Sequence, residues 1–151
     1  MRLIAFVAIA WLILVDGAPA QSIEEVVRDF GFTGQWAEVC NQPASTTNWK
    51  RTIVVSAGEV SWTESCGKCN FQPVQYSVPA AKRVGTDRLE MRARRVNPDG
   101  TGWRSIYDLV MLKTGIRLRT MHYQAVGGTF ITRDGRILGN GNETPWFTQC
   151  P

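Results

Sequence analysis

The residues able to do chemistry are few. Cys66-Gly67-Lys68-Cys69 sets two thiols three positions apart with a lysine between them. Such a pair is redox-active where a cation and a helix start favour one thiolate, a context usually supplied by a βαβ unit. Here the motif falls between two β-type runs, so it reads as a disulfide pinning a turn. Zinc requires three or four ligands, and two thiols with His122 do not supply them; no metal and no cofactor is expected. His122 is the single histidine. A general base needs an orienting carboxylate and a reacting group in reach. No nucleophile elbow or paired-carboxylate pattern accompanies His122, so the expectation is a strand histidine with a structural hydrogen bond. The glycines stand at turns rather than ahead of a helix, which excludes phosphate-cradle and dinucleotide fingerprints. No catalytic residue is expected, and the chain reads as a non-enzyme.

Two further sets of residues suit binding. Arg88, Arg92 and Arg94 alternate along one run, as do Arg117 and Arg119 along another. With the run holding Arg104 paired between them, these arginines share one outer wall. Guanidinium groups favour bidentate contact with carboxylate or phosphate. The matching partners are an anionic lipid surface, an acidic cell-wall polymer or an acidic protein face. The bland reading is a solvated wall, balanced in part by Glu90 and Asp108, that also blocks edge aggregation. The second set is aromatic. Trp36, Trp49, Trp62, Trp103, Tyr107 and Trp146, together with Phe147, are candidates to fill a core or line a cavity for a small apolar ligand.

The elements that position these residues begin after an export signal. Met1-Arg2, the apolar run Leu3 to Val15 and Ala18-Pro19-Ala20 form a secretory leader with cleavage expected after Ala20. That run is shorter than the ~20 residues a membrane-spanning helix needs. Residues 21–151 make one domain, exported to the periplasm or beyond the cell, with no later membrane span expected. Its net charge of +4 attracts anions only weakly, and nucleic acid is not an expected partner. Four cysteines in an exported chain imply two disulfides, with three possible connectivities. The favoured pairs are Cys40–Cys150, which staples the first strand to the last, and Cys66–Cys69.

Ser22-Ile23-Glu24-Glu25 is a capping box. Ile23, Val26, Val27 and Phe30 form one apolar helical stripe, and Gly31 is placed to end the helix. The pattern then changes to short strands. Thr33 to Cys40 comes first, followed by Arg51 to Ser56, turned at Ala57-Gly58. Glu59 to Ser65 places Val60, Trp62 and Glu64 on one face. Phe71 to Val78 follows, with Pro73 marking an edge or bulge. Arg88 to Val96 sets Leu89, Met91 and Ala93 opposite its arginines. After the Asn97-Pro98-Asp99-Gly100 turn comes Trp103 to Leu112. Ile116, Leu118, Thr120 and His122 then oppose Arg117, Arg119, Met121 and Tyr123. Thr129 to Arg133, an Asp134-Gly135 hairpin turn, Arg136 to Leu138 and a closing Trp146 to Gln149 complete the chain. Eight to ten strands on short loops, with one helix, specify an all-β antiparallel up-and-down barrel.

With Gly34-Gln35-Trp36 on its first strand after a short helix, the chain resembles the lipocalins and the wider calycin group. The resemblance implies that Trp36 closes the barrel base and that a late arginine, Arg133 or Arg136, packs over it. The T-D-Y loop motif of lipocalins is missing. The G-Q-W-A-E-V-C and W-F-T-Q-C-P ends also resemble uncharacterised exported bacterial proteins. A looser likeness is to bacterial periplasmic metalloprotease inhibitors, small barrels that insert an N-terminal segment into the protease. The functional expectation is therefore a small apolar ligand or an anionic or protein partner. The alternatives are protease inhibition through Gln21 to Asp29, and thiol–disulfide exchange at Cys66 and Cys69.

Overall fold

The computed structural model describes residues 21–65 and 73–151; the expected signal segment and the Cys66–Cys69 pair lie outside them. The chain opens with helix α1 (Ile23–Asp29). Ser22 Oγ accepts from the Glu25 amide while the Glu25 carboxylate accepts from the Ser22 amide, so the expected capping box is formed. Val26, Val27 and Phe30 are buried.

Ten strands follow: β1 (Gly34–Ala37), β2 (Lys50–Ser56), β3 (Glu59–Ser65), β4 (Val74–Val84), β5 (Arg88–Val96), β6 (Trp103–Thr114), β7 (Arg117–Ala125), β8 (Phe130–Arg133), β9 (Arg136–Ile137) and β10 (Phe147–Gln149). All pairings are antiparallel. β1 through β7 pair in chain order, and β10 bonds both β1 and β7, closing an eight-stranded barrel. β7 serves two partners: Arg117 and Leu118 face β10, whereas Tyr123 and Gln124 face β8. β8 and β9 thus form a hairpin hung on the second half of β7, turned at Asp134 and Gly135, both at positive φ.

β4 runs further than the expected Phe71–Val78. Its proline is Pro79, seated where the register with β5 shifts between Ser77 and Ala80. A bulge is where a strand tolerates the missing donor.

The barrel has two unlike ends. The end formed by the β2–β3, β4–β5 and β6–β7 turns is covered by α1. Arg28 reaches the Val55 carbonyl, and Lys113 Nζ donates to the Phe30 carbonyl at 3.0 Å. The interior next to it is filled: Val27, Phe32, Trp36, Leu89, Met111 and Leu118 are wholly buried. Trp36 donates its indole N–H to the Phe32 carbonyl at 2.9 Å. Gly34 at φ +102 adopts a backbone conformation that any other residue would strain to hold.

The Cys40–Cys150 disulfide is present and ties the ends of β1 and β10 together. The late arginine implied by the lipocalin likeness is not found over Trp36. Arg133 lies over the Phe130 ring at 4.0 Å, and Arg136 pairs with Glu143. Both belong to the β8–β9 hairpin, which stands outside the barrel wall.

Candidate functional site

The other end, the mouth, lies where β3 leads to β4, β5 to β6, and β7 leaves the barrel. Register fixes which side chains point inward there. Ile53, Trp62, Tyr76, Arg95 and Ser105 are neighbours across successive strands β2 to β6. Tyr107 pairs with Ala125, and Tyr123 pairs with the buried Leu109. Side chains opposite one another on paired strands share a face, so all of these face the lumen. Trp62 and Tyr76 are buried, whereas Arg95, Ser105, Tyr107, Tyr123 and Ala125 are only half-buried. Among the described residues, inward side chains at this end remain part-exposed, whereas those at the helix-covered end are wholly buried.

The rings make a continuous ladder. Phe32 meets Trp62 edge-on at 6.5 Å, Trp62 meets Tyr76 at 4.5 Å, Tyr76 meets Tyr107 at 6.3 Å and Tyr107 meets Tyr123 at 4.8 Å. Such offset and edge contacts add ~0.5–1.5 kcal/mol each beyond burial. The chain has three tyrosines, and all are in this ladder. Burial, with the Glu64 charge adding to it, pushes the Tyr76 hydroxyl up to about 12. Burial and the facing Tyr76 raise Tyr123 further. Both are therefore neutral hydroxyls at physiological pH.

Polar groups flank the ladder. The Arg51 and Glu64 side chains, about 10% and 12% exposed, pair at 2.9 Å. Arg51 continues to Thr120 Oγ1 on β7 at 3.3 Å and stacks on the Phe147 ring at 4.2 Å. This arginine fills the region where β7 leaves β10 for β8. Thr144 seals the same region, donating to the Thr120 carbonyl at 2.7 Å. Among the described residues, Trp62 Nε1 is buried with no acceptor and Arg95 forms no ion pair or hydrogen bond.

The expected cavity residues divide. Trp36 belongs to the filled end, Trp49 packs on the core margin, and Trp62 and Tyr107 line the lumen. Trp103 and Trp146 are corrections, since both lie outside. Trp103 is 53% exposed beneath the Arg94 guanidinium. A register shift at Arg104 pairs Trp103 with Val96 and turns it off the inner face. Trp146 precedes the inward Phe147, so it points out, 5.0 Å and 5.1 Å from Arg117 and Arg119.

A third correction has the same cause. Met121 is the extra residue of a bulge between β6 and β7, which turns His122 outward beside Val110 and Tyr123 inward. His122 packs edge-on against Phe130 at 4.8 Å.

Most of the arginines expected on the outer wall are engaged within the protein. Arg92 makes two bonds to Asp108, at 2.8 Å and 3.2 Å, which also raise its pKa. Arg94 covers Trp103, Arg117 covers Trp146, and Arg119 bonds the Gly135 carbonyl at 2.7 Å. Arg88 and Arg104 are exposed and unpaired among the described residues. A wide groove of ≈ 460 Å³ crosses this wall over Ala80 and Val110, and its rim mixes Lys82, Glu90, Arg92, Asp108 and His122. A rim of both signs gives no preference for an anionic partner.

Sequence reasoning passed over Tyr76, Tyr123, Arg95 and the Arg51–Glu64 pair. One signal was present: a two-residue turn at Ala57-Gly58 sets Arg51 opposite Glu64, on a face already marked inward by Val60 and Trp62. Compared with known proteins, the chain matches no family model, no curated protein and no solved structure.

Proposed function

We propose that this is an exported, non-enzymatic binding protein of calycin type that takes a small, largely apolar or aromatic ligand at the barrel mouth. The observation that carries this reading is the part-buried, inward-facing portion of the aromatic ladder, Tyr107 and Tyr123, above a packed floor. A pocket of apolar walls with a few fixed polar groups is the usual form of a small-molecule site. The filled half of the barrel limits the ligand to a size that sits within the mouth. Export is supported by the leader-like N-terminus and by the disulfide, which forms in oxidising compartments.

The arginine wall supports a partner surface less well, because Arg92, Arg94, Arg117 and Arg119 already have contacts within the protein. Insertion of the N-terminal segment into a protease is also less well supported: α1 holds Val26, Val27 and Phe30 in the core.

The test uses the neutral fluorophore N-phenyl-1-naphthylamine. It is expected to bind saturably with enhanced emission. Tyr107→Arg, which sets a charged chain in the mouth, should weaken that binding by about tenfold or more, the effect of desolvating an unpaired charge. Trp103→Arg on the outer wall should leave it unchanged. No saturable binding, or equal losses in both variants, contradicts the reading.

A further inference from the structure

Arg95 is an inward-facing arginine at the mouth. Its neighbours on the inward row are Tyr76 on β4 and Ser105 on β6, and its charge is felt by the Tyr76 hydroxyl. Yet no acid among the described residues pairs with it. The nearest inward acid, Glu64, is already committed to Arg51 at 2.9 Å. The sequence of residues 66–72 holds no Asp or Glu. Among the described residues, the inward rows at the mouth therefore set one acid, Glu64, against two guanidinium groups, Arg51 and Arg95. Inward-facing arginines in a barrel are ordinarily paired, because an unpaired charge is costly to desolvate. On the other side of Tyr76, the buried Trp62 N–H also lacks an acceptor. Two donors without partners thus flank one tyrosine on a single row, and both ask for an acceptor oxygen.

We propose that the mouth takes a small molecule whose aromatic or apolar body carries a carboxylate, with Arg95 as the residue that pairs with the carboxylate. The body lies against Tyr107 and Tyr123, and the carboxylate accepts from the Arg95 guanidinium in the bidentate manner that arginine favours. This inference rests on the mouth being a ligand site and adds which chemical class the site prefers. It is distinct from the outer arginine wall, whose guanidinium groups face away from the lumen.

The test is a calorimetric comparison of 2-naphthoate with 2-naphthamide, near-isosteres that differ in charge, at neutral pH on the disulfide-bonded protein. The acid is expected to bind about tenfold more tightly than the amide, the scale of one charge-assisted contact in a part-exposed site. Arg95→Met should bring the two affinities together by weakening the acid alone. Retained amide binding then shows that this variant is folded. Arg95→Lys should keep the sign of the preference at reduced size, and Arg88→Met on the outer wall should keep it in full. Equal binding of acid and amide to the native protein, with N-phenyl-1-naphthylamine still bound, overturns the carboxylate assignment and leaves the ligand site standing. A preference that survives Arg95→Met overturns the role of Arg95. No binding of any of the three probes overturns both.

Discussion

At the scale of single residues, the least replaceable polar contact is Arg51–Glu64. Both side chains are nearly buried, so removing one partner strands the other charge in the barrel. Glu64→Ala is expected to cost about 3–5 kcal/mol, read as a lower urea midpoint. Arg51→Met combined with Glu64→Leu should recover most of it, since replacing the whole pair with apolar groups is often neutral. The tyrosines give a second prediction. A Tyr76 hydroxyl held at about 12, against an unfolded value near 10, favours the folded state while neutral. That contribution is complete below pH ~10 and is lost as pH rises toward ~12. Urea midpoints should therefore fall across this window, and fall less in a Tyr76→Phe, Tyr123→Phe double variant. An equal fall in both proteins contradicts the burial of these hydroxyls. Residue types alone could not single out this cluster. A tyrosine or arginine on a strand reads the same on either face until its register is known.

At the scale of elements, strand existence was legible and facing was not always so. The capping box at Ser22 and Glu25, the alternation of Leu89, Met91 and Ala93, and the Asp134-Gly135 turn all carry local signals, and each appears in the fold. The errors at Trp103, His122 and Tyr123 share one physical origin. A bulge inserts a residue without a cross-strand partner and reverses the facing of everything beyond it. The extra residues at these two bulges, Arg104 and Met121, are neither glycine nor proline, so strict alternation carried each strand's reading one residue too far. Pro79 did mark its bulge chemically. The β2–β3 hairpin gives a prediction of its own. Ala57 sits at φ +51, a region that costs a residue with a Cβ about 1–2 kcal/mol unless a short polar side chain offsets it. Ala57→Asn should raise the thermal midpoint without changing ligand affinity. An unchanged or lower midpoint would mean that the turn does not hold this conformation in solution.

At the scale of the whole molecule, closure depends on one very short strand. β10 spans three residues and joins β1 to β7. The Cys40–Cys150 bond, across 110 positions of sequence, fixes that strand in place. Loop-closure entropy assigns such a link about 4–5 kcal/mol, so Cys40→Ser with Cys150→Ser should be far less stable and should loosen first at β1 and β10 in hydrogen exchange. Uniform exchange across the barrel would contradict this. Barrel architecture and this link were legible because strand count, short loops and cysteine placement are global properties. The unlike ends of the barrel were not, since a filled floor and an open mouth differ only in how side chains from distant strands meet.

The barrel mouth, and not the outer wall, is the proposed place of ligand binding. The most direct measurement is a titration of ring-labelled protein with N-phenyl-1-naphthylamine followed by nuclear magnetic resonance. Every tyrosine of the chain lies in the mouth ladder, so tyrosine ring signals report on that end alone. Tyr107 and Tyr123 should shift saturably, Tyr76 with them, while the Trp36 indole at the filled end and the His122 ring on the outer wall stay in place. Shifts confined to His122 or Trp103, with the tyrosines unmoved, would contradict it.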